Sequence, residues 1–213
     1  MQVIPARQER YRQQMGGSQV SRARRPFAER CSYLLEPKNW LVVTMALIGA
    51  RTDGLAGAGW GLLAALFVAV LPTVFVDYGI RHGRFADRNV GDRRPRLLLL
   101  GFITASVAAG LILLVTLGAP RLLTGYLAFM LASVAVLALI TTVWKISIHC
   151  AVASGSVAIL ALTYGPFVLA AYLLVALLGW SRVALGDHTV AQAVGGTVLG
   201  AAAAALTYAV LAP

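Results

Sequence analysis

Charge and cysteine are the two features in which this sequence is poorest. Only 12% of its 213 residues are charged, whereas about a quarter is typical of a soluble domain, and 59% are hydrophobic. The two cysteines, Cys31 and Cys150, are too few and too far apart for a disulfide framework or a structural zinc site. This composition also excludes a disordered or collagen-like chain, and it indicates an integral membrane protein.

Long uncharged runs divide the chain into candidate membrane-spanning helices. A helix crosses the hydrocarbon core with about 20 apolar residues, and three runs meet that length: 54–76, 97–120 and 122–144. The stretch 146–181 is too long for one crossing and is broken at Gly165-Pro166, because proline cannot continue a helix. It therefore predicts a hairpin of two short helices, and a last crossing follows it; the ranges are 150–164, 167–181 and 189–213.

The first 38 residues differ from the rest, since they carry eight Arg or Lys against three Glu. They predict a basic, mostly disordered cytoplasmic tail, residues 1–38, in front of a transmembrane bundle, residues 39–213. The first segment of that bundle, residues 39–50, is short for a full crossing, so a re-entrant segment stays an alternative. The predicted fold class is an all-α integral-membrane helical bundle of six to seven transmembrane helices.

Basic residues are concentrated on one side of the predicted bundle. Alternating the crossings places the tail, residues 77–96, Lys145 and Arg182 on one side, with only Arg51 and Arg121 on the other. The positive-inside rule makes the first side cytoplasmic. The net charge of +10 therefore reflects topology, and nucleic acid is not expected as a partner.

One segment on this basic side, residues 145–149, combines side chains that bind phosphate and move protons. Lys145 and Ser147 lie just before a predicted helix start, where free backbone N–H groups and the helix dipole favour an anion. His149 follows and can transfer a proton near neutral pH. The segment predicts a phosphate site at the membrane interface.

A second segment carries Ser181-Arg182, then His188 after five intervening residues, and then Gln192. If the last helix begins near His188, Gln192 lies on the same helical face four residues later. Its side-chain oxygen then accepts the imidazole Nδ1–H and leaves Nε2 for nucleophilic attack. The planar fork of Arg182 suits phosphate oxygens.

These segments resemble the motifs of the type 2 phosphatidic acid phosphatase family, the integral-membrane lipid phosphatases. The third family motif is Ser-Arg, five residues, His, three residues, Asp, and this chain matches it at Ser181, Arg182 and His188, with Gln192 in place of Asp. The second motif, Pro-Ser-Gly-His, is matched by Ser147 and His149 within residues 146–149. The first motif, Lys, six residues, Arg-Pro, is matched only by Arg94-Pro95. Its Lys position holds Asp87, with Arg88 one place later, and Arg96 or Lys145 are alternatives for that role.

The resemblance implies a metal-independent phosphatase with no cofactor, in the plasma membrane of a bacterium. His188 would attack phosphorus to form a phosphohistidine, and His149 would protonate the leaving group. A larger set would hold the phosphate, with Ser181 and Gln192 in support: Arg182, Ser147, Arg94, Arg88 and Lys145. The expected substrates are phosphatidic acid and polyprenyl phosphates or diphosphates, and neither these nor the oligomeric state can be resolved from sequence.

Two alternatives stay open. Gln192 cannot stabilise an imidazolium as a carboxylate does, so the chain is alternatively a weak or inactive lipid-phosphate-binding membrane protein. Asp87 and Asp92 also resemble the Asp-rich loop of magnesium-dependent intramembrane prenyltransferases, although the later loops offer only Asp187.

Overall fold

The computed structural model describes residues 24–86, 90 and 93–211. This part of the chain is a bundle of α-helices, with no strand among the described residues, and the predicted all-α class is confirmed. The helices are α1 (Arg25–Leu34), α2 (Pro37–Ala65), α3 (Leu71–Arg81), α4 (Arg93–Thr116), α5 (Arg121–Val143), α6 (Ile148–Tyr164), α7 (Tyr172–Ala184) and α8 (Val190–Leu211). A π-helical turn, Leu66–Val70, joins α2 to α3, and a 3₁₀ turn, Pro166–Ala171, precedes α7.

The long helix α2 is a hairpin of two antiparallel arms. Its backbone leaves helical geometry at Asp53 and Gly54, where Gly54 has φ +53°, a conformation that glycine adopts without strain. The arms then pack backbone to backbone, because a Cβ on Gly57 or Gly61 would overlap a carbonyl oxygen of the first arm. The predicted short segment 39–50 is therefore the first arm of this hairpin.

Among the described residues, five stretches are long and apolar enough to cross a membrane: 25–81, 94–116, 121–143, 166–184 and 190–210. The turn at Gly54 divides the first of these stretches, and α6 is a shorter apolar helix beside them. The described chain is thus a membrane-spanning bundle. When the two arms of α2 and the shorter α6 are counted separately, its apolar segments agree with the upper value of the predicted six to seven.

Helices α6 and α8 pack most closely, and small residues make this possible. A Cβ on Gly200 would overlap the carbonyl oxygen of Ala151, and one on Gly196 would overlap that of Ser147. Such backbone contact is typical of membrane helices that meet through small residues. It brings the starts of α6 and α8 to the same end of the bundle.

The N-terminal region differs in part from its prediction. Residues 25–34, expected within a mostly disordered tail, form α1. This helix has Pro26 in its first turn and packs against α7. The aromatic rings of Phe27 and Trp180 make one of these contacts, with centroids 6.0 Å apart. A buried face supplies the physical reason, because packing stabilises a short helix that isolated propensity does not.

Candidate phosphate site

The two segments singled out from sequence meet at one end of the bundle. The backbone N–H of Ser147, just before α6, donates to the carbonyl oxygen of Gln192 in the first turn of α8 at 3.1 Å. The guanidinium of Arg96, from α4, donates to the carbonyl oxygen of Ile146 in the same connection. Hydrogen bonds therefore tie three distant parts of the chain together around this point.

Gln192 orients the imidazole of His188. Its Oε1 lies 3.2 Å from Nδ1 of His188 and 3.1 Å from the backbone N of Thr189. The hydroxyl of Thr189 accepts in return from the N–H of Gln192 at 3.3 Å, which makes a capping box at the start of α8. Since a backbone N–H can only donate, the amide must present its oxygen here, and His188 then carries its proton on Nδ1. Its Nε2 holds a lone pair.

Burial and nearby positive charges keep His188 neutral. Burial, the largest cause, and nearby positive charges lower the pKa of His188 to about 3. The charges belong to three residues, in decreasing order of effect: Arg182, Arg96 and Lys145. The hydrogen bond to Gln192 acts in the opposite direction. An imidazole that is neutral at physiological pH can act as a nucleophile.

Arg182 is buried at the end of α7 and is held at both ends of its guanidinium. Its side chain is 1% exposed, its Nη1 donates to the hydroxyl of Ser32 at 2.7 Å, and its Nη2 lies 3.0 Å from a carboxylate oxygen of Asp187. A buried arginine needs such partners because desolvation of its charge is costly. Arg182 lies close enough to both His149 and His188 to act on them electrostatically.

A cavity of about 160 Å³ connects this polar cluster to the apolar interior. His149, His188 and Arg96 line one part of it, beside an ion pair between Lys38 and Glu36 (2.6 Å). The Nε of Arg96 is buried without a hydrogen-bond partner among the described residues. An anion in this cavity would therefore meet a buried cation and two imidazoles.

A second, apolar cavity of about 80 Å³ adjoins the first within the membrane-spanning region. The two share side chains of α2, α5 and α6 in their linings: Leu41, Met130, Val134, Leu137 and Val152. The combined space is polar at the end where His188 lies and hydrocarbon-lined along the helices. A polar end and a hydrocarbon-lined remainder match the two parts of an amphiphile.

The remaining predicted site residues are distributed unevenly. Ser147 is fully buried as the N-cap of α6, where its hydroxyl accepts from the Cys150 N–H at 3.4 Å. Lys145 is half-buried and acts on His188 through its charge. Ser181 donates its hydroxyl proton to the carbonyl oxygen of Leu178 in its own helix, at 2.7 Å. Ser147, Arg182 and Lys145 lie outside the immediate lining of the larger cavity.

The predicted first motif is the part that the structure does not assemble. Arg94 is exposed and does not line the cavity, whereas Arg96, two positions later, is 3% exposed and does. The change is a consequence of helix geometry, since residues two apart point in different directions. Arg88, Asp87 and Asp92 lie outside the described residues, so the assignment of Arg88 and the Asp-rich loop stay predictions.

Sequence reasoning missed two contacts of the site. Asp187 is not among the predicted phosphate-site residues, yet its carboxylate lies 3.0 Å from Nη2 of Arg182. Ser32 lies in the segment expected to be a tail, and no spacing in the sequence signals its contact with a residue 150 positions later. Arg96 was considered only as a replacement for the motif lysine.

Comparisons with protein-family models, with curated proteins and with solved structures gave no match for this chain. The function is therefore inferred from the geometry of the site and from the motif resemblance.

Proposed function

We propose that this protein is a membrane lipid phosphatase that hydrolyses a phosphomonoester or diphosphate of a lipid or prenyl alcohol through a phosphohistidine intermediate. The observation that carries the proposal is the His188–Gln192 contact. It fixes the tautomer of a buried, neutral imidazole next to two buried arginines. A neutral histidine near such charges suits attack on an anionic phosphoryl group.

The proposed reaction has two steps and gives each of the two histidines one role. Nε2 of His188 attacks phosphorus, the N–P bond forms and the bond to the lipid oxygen breaks, while His149 passes a proton, supplied by the bound phosphate monoanion, to the leaving alkoxide. A water then loses a proton to His149 and attacks phosphorus, which releases phosphate and regenerates His188. Arg96, which lines the cavity, stabilises the charge that develops on the phosphoryl oxygens, and Arg182 adds its positive charge from just outside the lining.

The cavities support a lipid as the substrate. The phosphate would lie beside His188, His149 and Arg96, and the hydrocarbon chain would extend past Leu137 and Val152 toward the second cavity. Phosphatidic acid and polyprenyl phosphates or diphosphates are the classes that we propose. By the positive-inside rule we place the site and the N-terminus on the cytoplasmic side of a bacterial plasma membrane.

The second candidate is a lipid-phosphate-binding protein with little or no turnover. Gln192 favours it, because a neutral amide orients the imidazole of His188 but does not stabilise its cationic form. In hydrolase triads, replacing the orienting carboxylate by an amide reduces turnover by about 10⁴. Gln192→Asp discriminates between the candidates. A large gain in phosphate release would mean that Gln192 limits the wild type, and an unchanged rate would mean that it does not.

The proposal is tested by measuring phosphate release from lipid and prenyl phosphates by the purified protein in detergent, with and without a chelator. We expect release that withstands the chelator and falls at least about a thousandfold in His188→Ala, because the nucleophile is lost. The matched control is His82→Ala, since His82 is exposed and stacks on Tyr78 (centroids 3.9 Å apart). Release that persists in His188→Ala would contradict the nucleophile assignment, and release that needs a metal would favour other chemistry.

A further inference from the structure

We propose that Ser32 is a positioning residue for Arg182, which makes helix α1 part of the phosphate site. The Ser32 hydroxyl accepts the 2.7 Å hydrogen bond from Nη1 of Arg182 across 150 positions of sequence. The inference rests on the proposed function, because it concerns how the arginine whose charge would act on the bound phosphate is held.

The buried face of α1 is built to deliver this hydroxyl. Its buried residues are Ala28, Cys31 and Ser32, which are three and four positions apart and so share one face. Within a helix a serine hydroxyl can donate to a carbonyl of the preceding turn and still accept a hydrogen bond through its lone pairs. Here it accepts from Arg182, and both partners are buried, at 8% and 1% exposed.

Ser32 and Asp187 act on opposite ends of the same guanidinium. Asp187 lies 3.0 Å from Nη2, and it is close in sequence, since its backbone N–H donates to the carbonyl oxygen of Arg182 at 3.0 Å. Ser32 supplies the long-range contact at Nη1. Because a guanidinium is planar, contacts at both terminal nitrogens fix the direction of its fork. Loss of Ser32 leaves the charge of Arg182 in place but releases its orientation.

The test measures the affinity of the full-length protein for orthovanadate, a phosphate analogue. Two readouts are used: inhibition of lipid phosphate hydrolysis, and thermal stabilisation in detergent without substrate. We expect Ser32→Ala to weaken orthovanadate binding about tenfold, which is the effect of losing one hydrogen bond to a charged group. The KM for lipid phosphate should rise similarly, with a smaller change in kcat. Ser32→Thr keeps the hydroxyl and should restore most of the affinity.

The matched control is Glu29→Gln on the exposed side of α1. Glu29 pairs only with Arg25 among the described residues, at 3.2 Å, and its substitution should leave the affinity within about twofold. A mutant cycle with Arg182→Lys, which keeps a charge without the fork, isolates the coupling. In that background Ser32→Ala should have little further effect. If Ser32→Ala does not fold, Ser32→Cys replaces it, because its volume is close and its acceptor is weak.

Three results would overturn the inference: unchanged affinity in Ser32→Ala, no restoration by Ser32→Thr, or an equal loss in the Arg182→Lys background. Failure of the proposed function is distinguishable. A wild type that releases no phosphate, but is stabilised by orthovanadate in a Ser32-dependent manner, would refute the phosphatase and support the role of Ser32. A wild type with neither property would refute both.

Discussion

The two ends of the bundle hold their charges in opposite ways. At the end formed by the α2 turn and the start of α5, Arg51, Asp53 and Arg121 are exposed. At the other end Arg96 and Arg182 are buried and bound to specific partners. Exposed basic residues orient and anchor helices at little energetic cost, whereas a buried arginine persists only where its partners offset desolvation. Burial of a cation, rather than the number of cations, therefore distinguishes a site from an anchor.

After loss of the nucleophile itself, the largest effect should come from exchanging a buried arginine for a neutral residue. Arg96→Gln should lower kcat/KM for lipid phosphate about 100-fold, because charged hydrogen bonds contribute about 1.5–3 kcal/mol. Arg94→Gln, two positions earlier but exposed, and Arg121→Gln, at the opposite end, should stay within about twofold. Equal losses in all three variants would mean that Arg96 acts only through the net charge of the interface.

A smaller effect is expected from the packing that brings α6 and α8 together. Gly200→Ala would place a Cβ on the carbonyl oxygen of Ala151, so the helices must separate, and we expect destabilisation by about 1–3 kcal/mol. Gly101→Ala is the control, because a Cβ there meets nothing within 4 Å, and it should be neutral or slightly stabilising. Thermal unfolding in detergent measures both variants. Equal midpoints would show that the helices are not in contact as described.

Per pH unit, the smallest effect concerns His188. Its pKa is about 3 in the folded protein and ordinarily 6.5, so the unfolded chain binds a proton first as the pH falls. The stabilisation is present above pH 6.5 and is lost between pH 6.5 and 3, on the order of 1 kcal/mol per pH unit. His188→Gln should reduce this slope in unfolding measurements. A slope unchanged by His188→Gln would contradict a buried neutral imidazole.

The fold was predictable where composition alone decides it. Uncharged runs define membrane helices because the bilayer excludes charge, and Gly165-Pro166 marks the break between α6 and α7 since proline cannot continue a helix. The sequence pattern predicted least well the start of the bundle. There a glycine at positive φ turns α2 back on itself, and a buried face makes α1 a helix.

The candidate site was predictable only where its contacts are local. Gln192 lies four residues from His188, so helical spacing predicts their contact, and a serine before a helix predicts the N-cap Ser147. Arg96 could be named only as one alternative to the motif lysine, and Ser32 could not be predicted, because their roles depend on which face of α4 or α1 packs inward. That choice is made by tertiary contacts of distant segments, and no periodicity in this hydrophobic sequence encodes it.

Trapping the covalent intermediate tests the central claim most directly. Full-length His149→Ala should attack its substrate slowly but fail to activate water, so phosphate from a labelled lipid phosphate should accumulate on the protein. After alkaline quenching, which preserves phosphohistidine, the account predicts label on His188 by mass spectrometry and none in the His149→Ala, His188→Ala double variant. Label on another residue, or phosphate release by the wild type with no labelled His188 under any condition, would contradict it.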